Sequence, residues 1–186
     1  LPTIDHPYDK ATNEFIVIAP SKYKVVSNGL LIEESKLDAE NNLTHWKQNV
    51  PVSSWLYVLG VAEFAVQHVD EFDHKSIQTW VYPKDREAGF KDFETPTKEV
   101  LAFYTSYIGP FAYEKLANIQ SPSVSGGMET SSAILSKQME SADAKDSTSS
   151  NRFVSLVTSS SSPWKDSCRL VGVKGSGTCC SSPPIS

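Results

Sequence analysis

Apolar and polar positions alternate through most of the first 80 residues. Phe15, Val17 and Ala19 alternate within residues 14–20, and Tyr23 and Val25 do the same before a turn at Ser27-Asn28-Gly29. A period of two puts successive side chains on opposite faces of a strand, so these segments predict half-buried strands. Residues 30–34 and 43–48 flank Asp38-Ala39-Glu40-Asn41-Asn42, whose Asp and Asn residues tolerate turn geometry, and predict a hairpin. Residues 55–69 and 77–82 add long strands rich in β-branched and aromatic side chains. The expectation is a region of antiparallel sheet over residues 1–80.

The pattern changes at Pro83. Thr95 and Pro96 supply an N-cap and a first-turn proline, and Glu99 sits where the helix dipole favours an anion. Val100, Leu101, Tyr104 and Ile108 follow at helical spacing until Gly109-Pro110 stops the run, which predicts a helix of about 13 residues. Residues 111–119 then lead into a Ser/Gly-rich loop, residues 121–127, and a short segment, residues 128–135. Beyond Leu135 the composition shifts: 15 of the last 51 residues are Ser, and the apolar positions are too sparse for a core. This tail is expected to be largely disordered.

Composition narrows the partners. The 186-residue chain has a formal charge of -5 and no cluster of Lys or Arg, which argues against nucleic acid or an anionic membrane and favours small or cationic ligands. The longest candidate for a membrane span, residues 50–69, is interrupted by Pro51, Ser53, Ser54, Gly60, Glu63, Gln67 and His68, so no span is predicted. Leu1 opens the sequence with no basic and then apolar leader, and localisation stays unassigned. Cys168, Cys179 and Cys180 all lie in the tail, where an adjacent pair lacks the spacing and the fourth ligand of a zinc site.

The candidate chemistry lies in Gly126-Gly127-Met128-Glu129. Adjacent glycines let backbone groups approach an extended peptide as if adding a strand, and one carboxylate at the end of such a groove can hold a free α-ammonium. Taken alone, Gly-Gly-Met-Glu also reads as a surface turn; together with the family resemblance of the segments around it, Glu129 is the expected carboxylate, Gly126 and Gly127 the backbone contacts, and Met128 the floor of the pocket.

The loop resembles the substrate-anchoring motif of zinc aminopeptidases of the aminopeptidase N and leukotriene hydrolase type, written Gly-Ala-Met-Glu-Asn or Gly-Gly-Met-Glu-Asn. Thr130 stands where that motif has Asn. His6-Pro7-Tyr8-Asp9-Lys10-Ala11-Thr12 is similar to the family's Pro-x-x-Lys-Ala-Thr segment, and residues 51–60 look like its last N-domain strands. Leu101, Tyr104, Tyr107, Ile108, Gly109 and Pro110, then Phe111, Tyr113, Lys115 and Leu116, match its helix-to-strand passage before the motif. The resemblance covers about residues 1–135. It implies a peptide substrate with a free N-terminus, zinc as cofactor, and a mainly β fold: an antiparallel β-sandwich or saddle over residues 1–79, then the truncated start of a thermolysin-like α/β domain over residues 80–135.

Zinc chemistry in that family needs His-Glu-x-x-His, a further Glu ligand and a Tyr. Two histidines one helical turn apart bind the metal, and the Glu after the first takes a proton from bound water. The histidines here are His6, His45, His68 and His74, and no two have that spacing. Zinc is therefore implied by the resemblance with its ligands absent from the sequence. His68 and His74, with the acids between them, are expected to form a polar turn joining two strands. Ser159 to Ser162 has no paired base. The sudden change at Leu135 is what a reading-frame shift, a retained intron or an assembly error would give over residues 136–186. Two functions follow: a fragment of a zinc metallo-aminopeptidase, inactive as it stands, or a non-catalytic β-rich peptide-binding or scaffold module. Oligomeric state and cleavage specificity are not legible.

Overall fold

The computed structural model describes residues 3–124, 127–136 and 169–176. The elements run β1 (Lys10–Pro20), β2 (Lys24–Ser27), β3 (Leu30–Lys36), β4 (Asn41–Ser53), β5 (Leu59–Ala62), β6 (Ala65–Phe72), β7 (Lys75–Val81), α1 (Arg86–Tyr107), β8 (Lys115–Gln120), β9 (Gly127–Thr130), β10 (Ala133–Ser136) and β11 (Arg169–Ser176). They make a strand-dominated β-sandwich followed by a short α/β stretch with one helix. This is the mixed, mainly β class that the sequence predicts.

The first sheet has the order β11-β1-β4-β3, antiparallel throughout. In β1 the alternation becomes burial: Phe15, Val17 and Ala19 face the core while the residues between them are only partly covered. The expected hairpin is β3–β4, turned by Asp38, whose carboxylate accepts from the Glu40 and Asn41 N–H groups. Gly29 closes the turn ahead of β3 with φ +73. A side chain there would stand 2.0 Å from the Lys47 carbonyl oxygen, so the close approach of β4 as well as the backbone angle requires glycine.

The second sheet has the order β6-β7-β8-β10-β9, with β7, β8 and β10 parallel and the outer strands antiparallel to their neighbours. The pattern change at Pro83 marks the exit from β7 into α1, which crosses over to the parallel strand β8. It does not mark the edge of a sheet, since β6 and β7 lie before it and β8 to β10 after it. The two faces of β8 and β10 sort by alternation. Leu116 and Ile134 join Ile77 and Leu101 in a small cluster with the helix, whereas Ala117, Ile119, Ala133 and Leu135 join the large core that also holds Phe15, Trp46 and Phe64. That core is cross-braced by edge-to-face contacts of Trp80 with Trp46 and with Phe64, at 6.1 and 5.9 Å.

Four expectations need correction. Helix α1 begins at Arg86 and spans 22 residues, so Pro96 sits inside it instead of at its first turn. The proline's missing N–H leaves the Asp92 carbonyl without a helical donor, while at the next position the Thr97 hydroxyl donates to the Phe93 carbonyl at 2.6 Å. Residues 55–69 are not one strand: a 3-10 turn at Ser54–Leu56 precedes β5 and β6, because the chain leaves the first sheet to pair with β2. Within the tail expected to be disordered, residues 169–176 form β11 on the edge of β1. A sheet edge offers backbone hydrogen bonds regardless of side-chain pattern, which composition does not report. Residues 137–168 and 177–186 lie outside the described residues. The polar turn expected over residues 68–74 is shorter than that: His68 to Phe72 belong to β6, and only Asp73 and His74, with φ of 50 and 59, make the two-residue loop to β7.

Candidate functional site

Strand β9 is the outermost strand of its sheet, so one of its backbone edges has no strand partner among the described residues. Its side chains alternate. Gly127 and Glu129 are exposed, Met128 packs partly buried against the large core, and Thr130 is buried with its hydroxyl donating to the Ala133 carbonyl at 2.6 Å. Directly opposed residues of an antiparallel pair share a face, so Glu129, opposite Ile134, leaves the sheet on the α1 side.

Gly127 and Glu129 are coupled. A Cβ at Gly127 would meet Glu129 Oε1 at 2.7 Å, so the carboxylate folds back along the strand into space that only a glycine leaves open. Met128, the residue expected at the floor of a pocket, is partly buried and packs against the large core. Thr130, in the position of the motif's Asn, spends its hydroxyl inside the hairpin. Gly126 lies outside the described residues. The edge strand, the glycine and the exposed carboxylate form a surface able to take an extended chain and hold a cation at one end.

The hairpin loop Ser131-Ser132 rests on the Ser27-Asn28-Gly29 turn, itself held by Lys115. Ser27-Asn28-Gly29 was legible as a turn, yet Asn28 and Gly29 also bond to Ser131 and Ser132. Lys115, fully buried, donates to the Ser27 carbonyl at 2.6 Å and lies 4.8 Å from the Trp46 ring centroid. Burial pushes its ammonium down to about 7, against a smaller upward pull from Glu114. The only sequence signal was a lysine at the head of an otherwise apolar and amide-bearing strand.

No metal centre accompanies this surface. Among the described residues no group of three or more His, Cys, Asp or Glu could hold an ion. His6 accepts from the Tyr8 N–H at 3.2 Å, and His45 pairs with Glu14 at 3.3 Å, which leaves neither beside a second imidazole. The described residues do not fit zinc. No helix among the described residues is long and apolar enough to cross a membrane.

Residues 1–56 match the family model for the peptidase M1 N-terminal domain. Bovine glutamyl aminopeptidase (Bos taurus) is 26% identical over 155 residues, 81% of this chain and 16% of that protein. The pig enzyme (Sus scrofa) is 27% identical over 154 residues, with the same coverage of both chains. The chain thus spans about a sixth of the length of these curated relatives. In fold it is similar to an M1 zinc metallopeptidase from Deinococcus radiodurans, with a TM-score of 0.66 at 20% identity over 74% of this chain and 32% of that one. A mutant of a Deinococcus radiodurans M1 zinc metallopeptidase bound to a Tyr-Ser-Ala substrate gives a TM-score of 0.60 at 21% identity, covering 72% and 32%. The domain match and the aminopeptidase relatives make this chain homologous, at the level of the family, to the M1 zinc aminopeptidases.

Proposed function

We propose that the chain is the substrate-holding part of a zinc aminopeptidase, in which β9 takes an extended peptide along its open edge and Glu129 holds the peptide's α-ammonium. The observation that carries this reading is the coupling of Gly127 to Glu129 on a strand whose outer edge has no strand partner among the described residues. Backbone pairing supplies affinity that tolerates any sequence, and a carboxylate at the groove's end selects a free amine over an acylated one. The peptide seen in the Deinococcus radiodurans relative supports a peptide ligand here.

Cleavage is a different matter. The His-Glu-x-x-His pattern does not occur in the sequence, and among the described residues no group of three or more His, Cys, Asp or Glu could hold an ion, so the chemistry proposed for this surface is holding the peptide. The same fact favours the second reading, a peptide-binding module that works without the metal. The change of composition after Leu135 is read as a break in the parent sequence. Translating the underlying nucleotide sequence in all frames checks this, and finding no downstream His-Glu-x-x-His in any frame would sink it.

Binding is tested by titrating the 186-residue chain with Ala-Ala-Ala and with its N-acetylated form. The free amine should bind at least about tenfold more tightly, the effect of a charge-assisted contact. Glu129→Gln should abolish the preference. An unchanged preference in that variant removes the amine-holding role.

A further inference from the structure

The hairpin that carries Glu129 is held by side chains from a turn about a hundred residues earlier. Asn28 is 0% exposed and its amide is fully used. Its Nδ2 donates to the carbonyls of Leu56, at 3.1 Å, and Ser131, and its Oδ1 accepts from the Val58 N–H at 2.7 Å. Beside it, the Gly29 N–H donates to Ser132 Oγ at 2.9 Å, and the Ser132 hydroxyl donates to Gln48 Oε1 at 3.2 Å.

These bonds converge on a loop that local sequence does not favour. Ser132 has φ +64, a left-handed conformation that costs a residue with a side chain roughly 1–2 kcal/mol. Two-residue hairpin loops usually place Gly or Asn there. The cost is offset by the buried Asn28 amide and by a Ser132 hydroxyl with two polar partners, the Gly29 N–H and Gln48 Oε1. Because the loop sets the register of β9 on β10, it also sets the face on which Glu129 leaves the sheet: a slip by one residue would turn Glu129 toward the core.

We infer that Asn28, with Ser132, is a positioning element for the β9–β10 hairpin and hence for the Glu129 carboxylate. The consequence for ligand binding rests on the reading of Glu129 as the amine holder. The consequence for the hairpin does not.

The test uses the 186-residue chain with two variants. Asn28→Asp keeps the size and turns both donors into an acceptor facing the Leu56 and Ser131 carbonyls. Ser132→Gly keeps the backbone angle and deletes the hydroxyl. Amide exchange is measured at residues 128–135 and, as an internal reference, across the β1–β4 pair, together with the affinity ratio of Ala-Ala-Ala to its N-acetylated form. Asn28→Asp should speed exchange in the hairpin at least tenfold with β1–β4 unchanged and bring the ratio toward one, and Ser132→Gly should do so more weakly. Unchanged hairpin exchange in both variants, or equal acceleration in β1–β4 through general loss of stability, overturns the inference. So does a loosened hairpin that keeps its full preference for the free amine in a chain where Glu129→Gln loses it. If Glu129→Gln leaves that preference intact while Asn28→Asp loosens the hairpin, the amine-holding reading fails and the positioning of the hairpin stands.

Discussion

Lys115 Nζ donates to the carbonyl oxygen of Ser27, 88 residues earlier in the chain, at 2.6 Å and out of contact with solvent. The bond ties the first strand after the helix to the turn that holds the Ser131-Ser132 loop, and it does so with a group that titrates. Burial holds the ammonium near 7 against its ordinary 10.5. Below about pH 7 both the folded and unfolded chains are protonated, and the fold bears the whole cost of a buried charge. From about 7 to 10.5 the unfolded chain binds the extra proton, so stability rises with pH, by up to about 1.4 kcal/mol per unit. Urea denaturation at pH 6 and pH 9 should show the higher midpoint at pH 9. Lys115→Met should flatten that difference, since it keeps the bulk against Trp46 and removes the proton. A wild-type midpoint that falls between pH 6 and pH 9 would contradict the buried, depressed ammonium.

Gly29 is the most constrained glycine of the N-terminal region. Its positive φ alone disfavours a side chain, and a Cβ would stand 2.0 Å from the Lys47 carbonyl oxygen, which is main chain and has little freedom to retreat. Gly29→Ala should lose at least about 3 kcal/mol, from the left-handed backbone and the clash together. Chemical denaturation at neutral pH measures it. A loss below about 1 kcal/mol would mean that Gly29 has room beside β4 for a side chain.

Pro96 offers the opposite sign. Inside α1 it has no N–H for the Asp92 carbonyl, and proline in a helix interior costs about 3 kcal/mol relative to alanine. Part of that is returned by the stiffer unfolded chain, worth up to about 1 kcal/mol. Pro96→Ala should therefore raise stability by about 2 kcal/mol without touching the Thr97 hydroxyl, which bonds Phe93 and accepts from Asn118 at 2.8 Å. A lower denaturation midpoint in Pro96→Ala would show that the ring itself is packed into the fold.

What was legible in the sequence follows from which forces are local. The period-two alternation of Phe15, Val17 and Ala19 reads directly as burial because one face of β1 meets one core. The start of α1 was misplaced because Thr95-Pro96 is a valid start signal, and only the packing of Gly89 against Val81, where a Cβ would meet Cγ1 at 2.7 Å, shows that the helix is already running on the sheet. The site divides the same way. Gly127 and Glu129 are neighbours in sequence and their coupling is local, whereas the left-handed Ser132 and the buried Lys115 make sense only once residues 27–29 are beside them. A turn motif announces its own geometry and carries no mark of what its side chains bond across the fold.

Gly127→Ala separates the geometry of the candidate site from its charge. The added methyl would stand 2.7 Å from Glu129 Oε1, the far end of a flexible side chain, so the carboxylate can swing aside while the strand stays paired. The stability change should be small, within about 1 kcal/mol, because Gly127 is exposed at a sheet edge and alanine fits a strand better than glycine. The binding change should be large by comparison. Ala-Ala-Ala should bind several-fold more weakly while its N-acetylated form, which never used the carboxylate, binds as before. Titration of the same variant with both peptides measures this in one experiment. Equal weakening of the two would trace the loss to the peptide-pairing edge, and no weakening of either would mean that the position of the carboxylate over Gly127 is irrelevant to the ligand.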